Sequence, residues 1–107
     1  MREEVWVVGI RNGILSVISP TQKSVEIRFE KIKGIAIETN DSGPFGADII
    51  WHVSDGKITI RFPMGARGEK EVVEELMKID GFNYQEMIDA MGSVDNKVFI
   101  PLNRTEA

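Results

Sequence analysis

The amino-acid sequence predicts one α+β domain, in which an antiparallel meander of about six strands precedes two helices and a short final edge strand. Three observations support this prediction. Apolar residues alternate with polar ones before Pro63, recur at helical spacing after it, and alternate again near the C-terminus. The 107 residues fit a single domain spanning 1–107, because domains of about 100–150 residues are the commonest.

The first half of the chain contains the signals of antiparallel strands joined by tight turns. The Asn-Gly pair at 12–13 and the Asp-Gly pair at 55–56 each separate two apolar runs. Such pairs are typical of two-residue hairpin turns, because these residues tolerate positive φ. Between the hairpins, apolar and charged residues alternate over 25–30, and a further strand is predicted at 34–38. The spacing does not indicate whether the sheet is open or rolled into a barrel.

Two consecutive amphipathic helices are predicted near 69–79 and 84–91, where apolar residues recur every three or four positions. Glutamates in the first turn of the first helix suit the helix dipole, and Gly81 can end this helix in the left-handed conformation. Asn83 is a favourable N-cap for the second helix. Glu86, three residues later, resembles the acidic member of a capping box.

The C-terminal stretch 98–102 alternates again and predicts the final strand. Pro101 has no N–H to donate to a strand ladder, so this strand should lie at a sheet edge. The helices should cover one sheet face, because the inward-facing strand residues need an apolar partner. These inward-facing residues are Ile27, Phe29, Ile35, Ile37, Ile58 and Ile60.

Composition and charge exclude several classes of protein. The chain has no cysteine, so disulfides, thiol catalysis and cysteine metal sites are ruled out. Its net charge is −4, and the molecule as a whole should therefore repel nucleic acid and anionic membranes. The apolar run at 5–10 is too short for a signal sequence or a membrane span. We expect a cytoplasmic protein without nucleic-acid or membrane partners.

Residues 39–47, which include two glycines and a proline, predict an irregular loop and a first candidate site. Their oxygen donors could hold a hard cation, but the EF-hand pattern is absent and tight turns require the same residues. We therefore assign no metal and no cofactor. Loops on rigid strands commonly bind ligands or partners. The candidate binding residues are Thr39, Asp41, Ser42, Phe45 and Asp48.

Two other features have a structural and a functional interpretation. Arg67 lies in a glycine-rich stretch before the first helix and could pair with an anion at the helix N-terminus, although the P-loop pattern is absent. His52 is the only histidine. No serine or cysteine stands at a recognisable motif spacing from it. We therefore expect an exposed strand histidine, on the face opposite Trp51, rather than a general base.

Acidic residues are concentrated in the helical part of the chain. Residues 69–95 contain eight Asp and Glu against two Lys, a balance of −6, whereas six Lys and Arg against four acids give residues 1–34 a balance of +2. This acidity is either the solvated face of two helices or a surface that attracts a basic partner. Glu71, Glu74 and Glu75 are the candidate contacts.

Several motifs in combination resemble a family of small uncharacterised bacterial proteins. The motifs are Thr-x-Asp-Ser-Gly-Pro-Phe at 39–45 with Asp48 and Trp51, Pro-x-Gly-Ala-x-Gly-Glu at 63–69, Gly-Phe at 81–82 and Ala-Met-Gly-Ser at 90–93. The resemblance covers residues 25–100 and implies a stand-alone, cytoplasmic bacterial protein. It implies no catalytic residues, since no activity is attached to the family.

The opening strands also resemble pleckstrin-homology-like barrels, through the Phe-Glu-Lys-Ile-Lys-Gly-Ile stretch at 29–35. That resemblance implies seven antiparallel strands and one C-terminal helix. The sequence departs from this pattern, because a second helix and a further strand follow the first helix.

We expect a non-enzymatic protein-binding module, an inhibitor or immunity-type protein whose acidic helical face contacts a basic partner. Two alternatives remain open. One is a small hydrolase or transferase that uses the Thr39–Asp48 loop. The other is a homo-oligomeric structural module, such as a homodimer, that associates through an exposed sheet edge.

Overall fold

A computed structural model describes residues 6–21, 23–43, 46–93 and 96–104, with the backbone alone for 40–43 and 46–48. Within these ranges the chain forms an α+β structure with seven strands, two α-helices and one short 3-10 helix. The strands are β1 (Val7–Arg11), β2 (Ile14–Ile18), β3 (Ser24–Arg28), β4 (Gly34–Gly43), β5 (Gly46–Ser54), β6 (Thr59–Pro63) and β7 (Lys97–Asn103). The helices are the 3-10 helix Phe29–Lys31, α1 (Glu69–Met77) and α2 (Tyr84–Met91).

The strands form two antiparallel sheets, so the prediction of one continuous meander is wrong. The smaller sheet has the order β1-β2-β3 and the larger the order β6-β5-β4-β7. The chain leaves the first sheet through the 3-10 helix, where the Phe29 N–H donates to the Gly13 carbonyl over 2.8 Å. It joins the second where the Lys33 N–H donates to the Ser54 carbonyl, also over 2.8 Å. Alternation along a strand does not show which strands pair, and therefore does not predict this break.

The core lies between the sheets and the helices. Trp51 and Phe62 are fully buried and stack with ring centroids 6.4 Å apart. The predicted inward-facing isoleucines are buried except Ile58, which is 45% exposed because it lies in the turn before β6. Phe29 is partly buried against the core from the 3-10 helix. The other buried apolar side chains are Val8, Leu15, Val17, Ile32, Val53, Ala66, Val72, Leu76, Phe82, Ala90, Phe99 and Leu102.

The segment before α1 attaches to the first strand. The Arg67 N–H donates to the Trp6 carbonyl and the Val8 N–H donates to the Arg67 carbonyl, each over 2.8 Å. Gly68 follows with a left-handed φ of 87° and serves as the N-cap of α1. Its α-carbon lies so close to the Val8 carbonyl that a Cβ at this position would collide with the oxygen. The glycine-rich stretch therefore brings the start of α1 against β1.

Neither α-helix in the described part of the chain is long and apolar enough to cross a membrane.

Helix α1 packs against β1 and buries Val72 and Leu76 on one face. The turn that ends it reaches Gly81, whose φ of 95° confirms the predicted left-handed position.

Helix α2 covers the outer edge of β7, which is itself an edge strand as predicted. Asn83 is the N-cap, and its Oδ1 accepts the Glu86 N–H over 3.1 Å. The reciprocal bond predicted from a capping box is replaced by contacts with the strand. The Asn83 N–H donates to the Pro101 carbonyl over 2.7 Å, and the Glu86 carboxylate accepts the Ile100 N–H over 3.1 Å. Helix and strand therefore satisfy each other's backbone groups.

Replacing Glu86 tests this contact. We expect Glu86→Ala to lower the free energy of unfolding by about 1–2 kcal/mol, because a charged acceptor is taken from a backbone donor at a partly exposed site. Glu86→Gln keeps an acceptor oxygen and should lose less than half as much. Urea denaturation measures both changes, and equal losses for the two variants would show that the bond to Ile100 does not stabilise the fold.

Residues 39–47 form most of a β-hairpin, so the prediction of an irregular loop is wrong. Strands β4 and β5 continue to pair as far as Gly43 and Gly46, with an irregular register between Asn40 and Gly43. Asn, Asp, Ser and Gly are poor strand formers, and the prediction followed that propensity. Pairing along the rest of the two strands overrides it. Pro44 and Phe45 lie outside the described residues.

Candidate functional site

The first predicted site lies on the β4–β5 hairpin, and its first residue is used by the fold. Thr39 is only 1% exposed. Its hydroxyl is 3.5 Å from Ser93 Oγ and 3.4 Å from the Lys97 carbonyl oxygen, which links β4 to the residues after α2 and to the start of β7. Asp41, Ser42 and Asp48 lie on the hairpin backbone, with side chains outside the described part. Phe45 is also outside it. A ligand site on this hairpin stays a prediction, without Thr39 as a surface group.

Arg67, the predicted anion ligand, has an exposed side chain and a backbone paired with β1. The Glu69 N–H, in the first turn of α1, donates to the Ala66 carbonyl over 3.0 Å. This donor is thus used by the preceding turn rather than directed at a ligand. The need for a glycine at position 68 is explained by the close approach of its backbone to the Val8 carbonyl, not by a bound anion. An anion site at Arg67 stays a prediction.

The acidic candidates lie on the exposed side of α1. Glu71 and Glu74 are exposed, whereas Val72 and Leu76 on the same helix are buried. Glu75 accepts a hydrogen bond from Lys78 Nζ over 3.1 Å, so its charge is partly balanced by the residue that caps the helix. Glu71 and Glu74 are therefore the stronger candidates for contact with a basic partner.

The outward face of the larger sheet contains a polar pair that the sequence did not predict. His52 lies on the face opposite Trp51, as expected, and its Nε2 is 3.0 Å from Glu38 Oε1. The side chains are 25% and 41% exposed, respectively, so His52 is half-buried rather than exposed as predicted. Arg61 lies opposite His52 on the neighbouring strand β6. The pair forms only in the register of β4 with β5, which the residue pattern of the hairpin did not indicate.

A shallow depression of about 300 Å³ adjoins His52 on this face. It is lined by Gly34, Ile35, Ala36, His52, Ser54, Thr59, Ile100, Leu102 and Asn103. A carboxylate that accepts from an imidazole can orient the ring for proton transfer. The neighbouring Ser54 Oγ, however, accepts the Gly56 N–H over 3.0 Å within the β5–β6 turn. We interpret His52 and Glu38 as a cross-strand pair that stabilises the sheet, by about 0.2–1 kcal/mol.

No group of three His, Cys, Asp or Glu side chains is placed to hold a metal ion within the described part of the chain. Comparison of the sequence and the structure with protein-family models, curated proteins and solved structures gave no match. The resemblances to the bacterial family and to pleckstrin-homology-like barrels therefore stay predictions.

Proposed function

We propose that the protein is a cytoplasmic, non-enzymatic binding module that contacts a basic protein through the exposed side of α1, as an inhibitor or immunity-type partner. The observation that carries this proposal is the position of Glu71 and Glu74. They are exposed on a helix whose other side is anchored in the core by Val72 and Leu76. Their carboxylates are therefore held at the surface by a helix that is fixed to the core.

The charge of the helix supports the same proposal. Four glutamates and one lysine between Glu69 and Met77 give α1 a balance of −3. Exposed charges of one sign act mainly by accelerating the encounter with a partner of opposite sign, and salt screens them. Binding should therefore depend on Glu71 and Glu74 and weaken as salt is added.

The test is affinity capture with the tagged full-length chain from a lysate of its native host, at low and at moderate salt. The test variant is Glu71→Lys with Glu74→Lys. Its control is Glu26→Lys with Asp89→Lys, which changes the net charge equally at exposed positions on β3 and α2. We expect a basic protein to be captured by the wild type and the control, to be lost by the test variant, and to be retained less at higher salt.

Two results would contradict the proposal. One is capture of the same protein by the α1 variant and the wild type. The other is the absence of any captured protein, at low salt, that exceeds the background of a resin without the chain.

A further inference from the structure

A depression of about 500 Å³ lies where the chain passes from the smaller sheet to the larger one. It is lined by Glu30, Lys31, Ile32, Lys33 and Arg104. Its volume is within the range of about 300–1,000 Å³ that is usual for small-molecule sites. Three of the five lining residues in the described part of the chain are cations, whereas the chain as a whole has a net charge of −4.

The cations are held in place by the backbone. Ile32 is 3% exposed and anchors the connection in the core, so that Lys31 and Lys33 flank it at the surface. The Lys33 N–H donates to Ser54, and its carbonyl accepts the Arg104 N–H over 2.6 Å. The pairing of β7 with β4 therefore brings Arg104 beside two lysines that are about seventy positions earlier in the chain.

Two carboxylates near the cations have other partners. Glu30 Oε2 is 3.6 Å from Arg28 Nη1, which draws this acidic lining residue toward a fourth cation. The Asp55 carboxylate, in the turn beside Lys33, accepts the N–H groups of Ile58 and Lys57 over 2.8 Å each. These backbone hydrogen bonds lower the pKa of Asp55. Its charge is directed at its own turn.

We propose that this depression binds a small soluble polyanion, such as a compound that carries phosphate groups. Guanidinium and ammonium groups bind phosphate oxygens through charge-assisted hydrogen bonds, and Arg104 with Lys31 and Lys33 supplies both kinds of donor around one concave surface. A long nucleic acid would extend beyond the depression onto a molecule of net negative charge, so a small ligand is favoured. This site is separate from the acidic contact on α1.

The test is calorimetric titration of the full chain with inorganic pyrophosphate at constant, low ionic strength. We expect saturable binding that Lys33→Gln and Arg104→Gln each weaken by about five- to tenfold, the loss of one charge-assisted contact at an exposed site. Glu30→Gln should strengthen binding by about two- to threefold, because it removes the negative charge among the described lining residues. Lys70→Gln on α1 is the control, since it changes the net charge equally outside the depression and should leave the affinity unchanged.

Several outcomes would overturn the proposal. They are the absence of saturable binding, an equal loss in Lys70→Gln, and weaker binding in Glu30→Gln. Tighter binding of a short single-stranded oligonucleotide, or of vesicles that contain phosphatidylserine, would assign the depression to nucleic acid or to a membrane surface. Self-association that Arg104→Gln abolishes, without pyrophosphate binding, would assign it to the acidic helix of a second copy. Thermal melts confirm that each variant is folded before titration.

Discussion

Gly68→Ala should lower the free energy of unfolding by about 2–5 kcal/mol. The left-handed backbone of Gly68 costs an alanine about 1–2 kcal/mol. The new Cβ would also collide with the Val8 carbonyl oxygen, and the backbone shift that relieves such a collision costs about 1–3 kcal/mol. The shift would disturb the hydrogen bonds that Arg67 makes with Trp6 and Val8, which attach α1 to the first sheet.

Gly65→Ala is the matched control for this prediction. Gly65 has a φ of 96°, close to that of Gly68, but the position of its Cβ has no described atom within 4 Å. Gly65→Ala should therefore lower the free energy of unfolding only by the cost of placing an alanine in the left-handed conformation, about 1–2 kcal/mol. Urea denaturation of both variants gives the difference. Equal losses would mean that the close approach of Gly68 to Val8 does not constrain the fold.

Trp51→Ala should lower the free energy of unfolding by about 3–5 kcal/mol, the usual cost of removing a fully buried aromatic side chain. Trp51 is completely buried and stacks on Phe62 between the sheets. Its loss would leave a cavity that the surrounding strands cannot close, because their positions are fixed by pairing on both sides of β5. Equilibrium unfolding in urea, followed by circular dichroism, measures the change.

Trp51→Phe should be far less harmful than Trp51→Ala. The indole N–H of Trp51 is buried without a hydrogen-bond partner among the described residues. An unpaired buried donor costs about 1–3 kcal/mol, so its removal offsets much of the lost ring volume and the net change should be under about 1 kcal/mol. A loss as large as that of Trp51→Ala would show that the N–H has a partner.

Local patterns predicted the elements that depend on neighbouring residues in the chain. Residue alternation and turn dipeptides predicted the strands, helical spacing predicted α1 and α2, and Asn83 was correctly predicted as an N-cap. Other features depend on contacts between segments that are distant in the chain. They are the break between the sheets, the pairing of Arg67 with β1 and the hydrogen bond from Ile100 to Glu86. Residue periodicity does not specify such partners. The predicted capping box shows the difference, since Glu86 has the expected position but bonds to β7.

The candidate sites were predictable to different degrees. The exposure of Glu71 and Glu74 follows from helical spacing alone. Thr39 was predicted as a surface ligand but is buried, because the hairpin extends the alternation of β4 past it. The depression with Lys33 and Arg104 could not be predicted without the pairing of β7 with β4. The net positive charge of residues 1–34 was the only feature of the sequence that indicated this depression.

The cover that α2 places over β7 restricts how copies of this protein could polymerise. A sheet grows into a fibril or a strand-exchanged dimer by accepting a foreign strand along an open edge. Among the described strands, β7 is blocked by Asn83 and Glu86, and β1 is partly occupied by Arg67. A strand added to β7 would have to displace these contacts, whereas β3 and β6 are the other two outer strands next to β2 and β5, each five residues long. We therefore expect a homodimer built by strand addition to use β3 or β6 rather than β7.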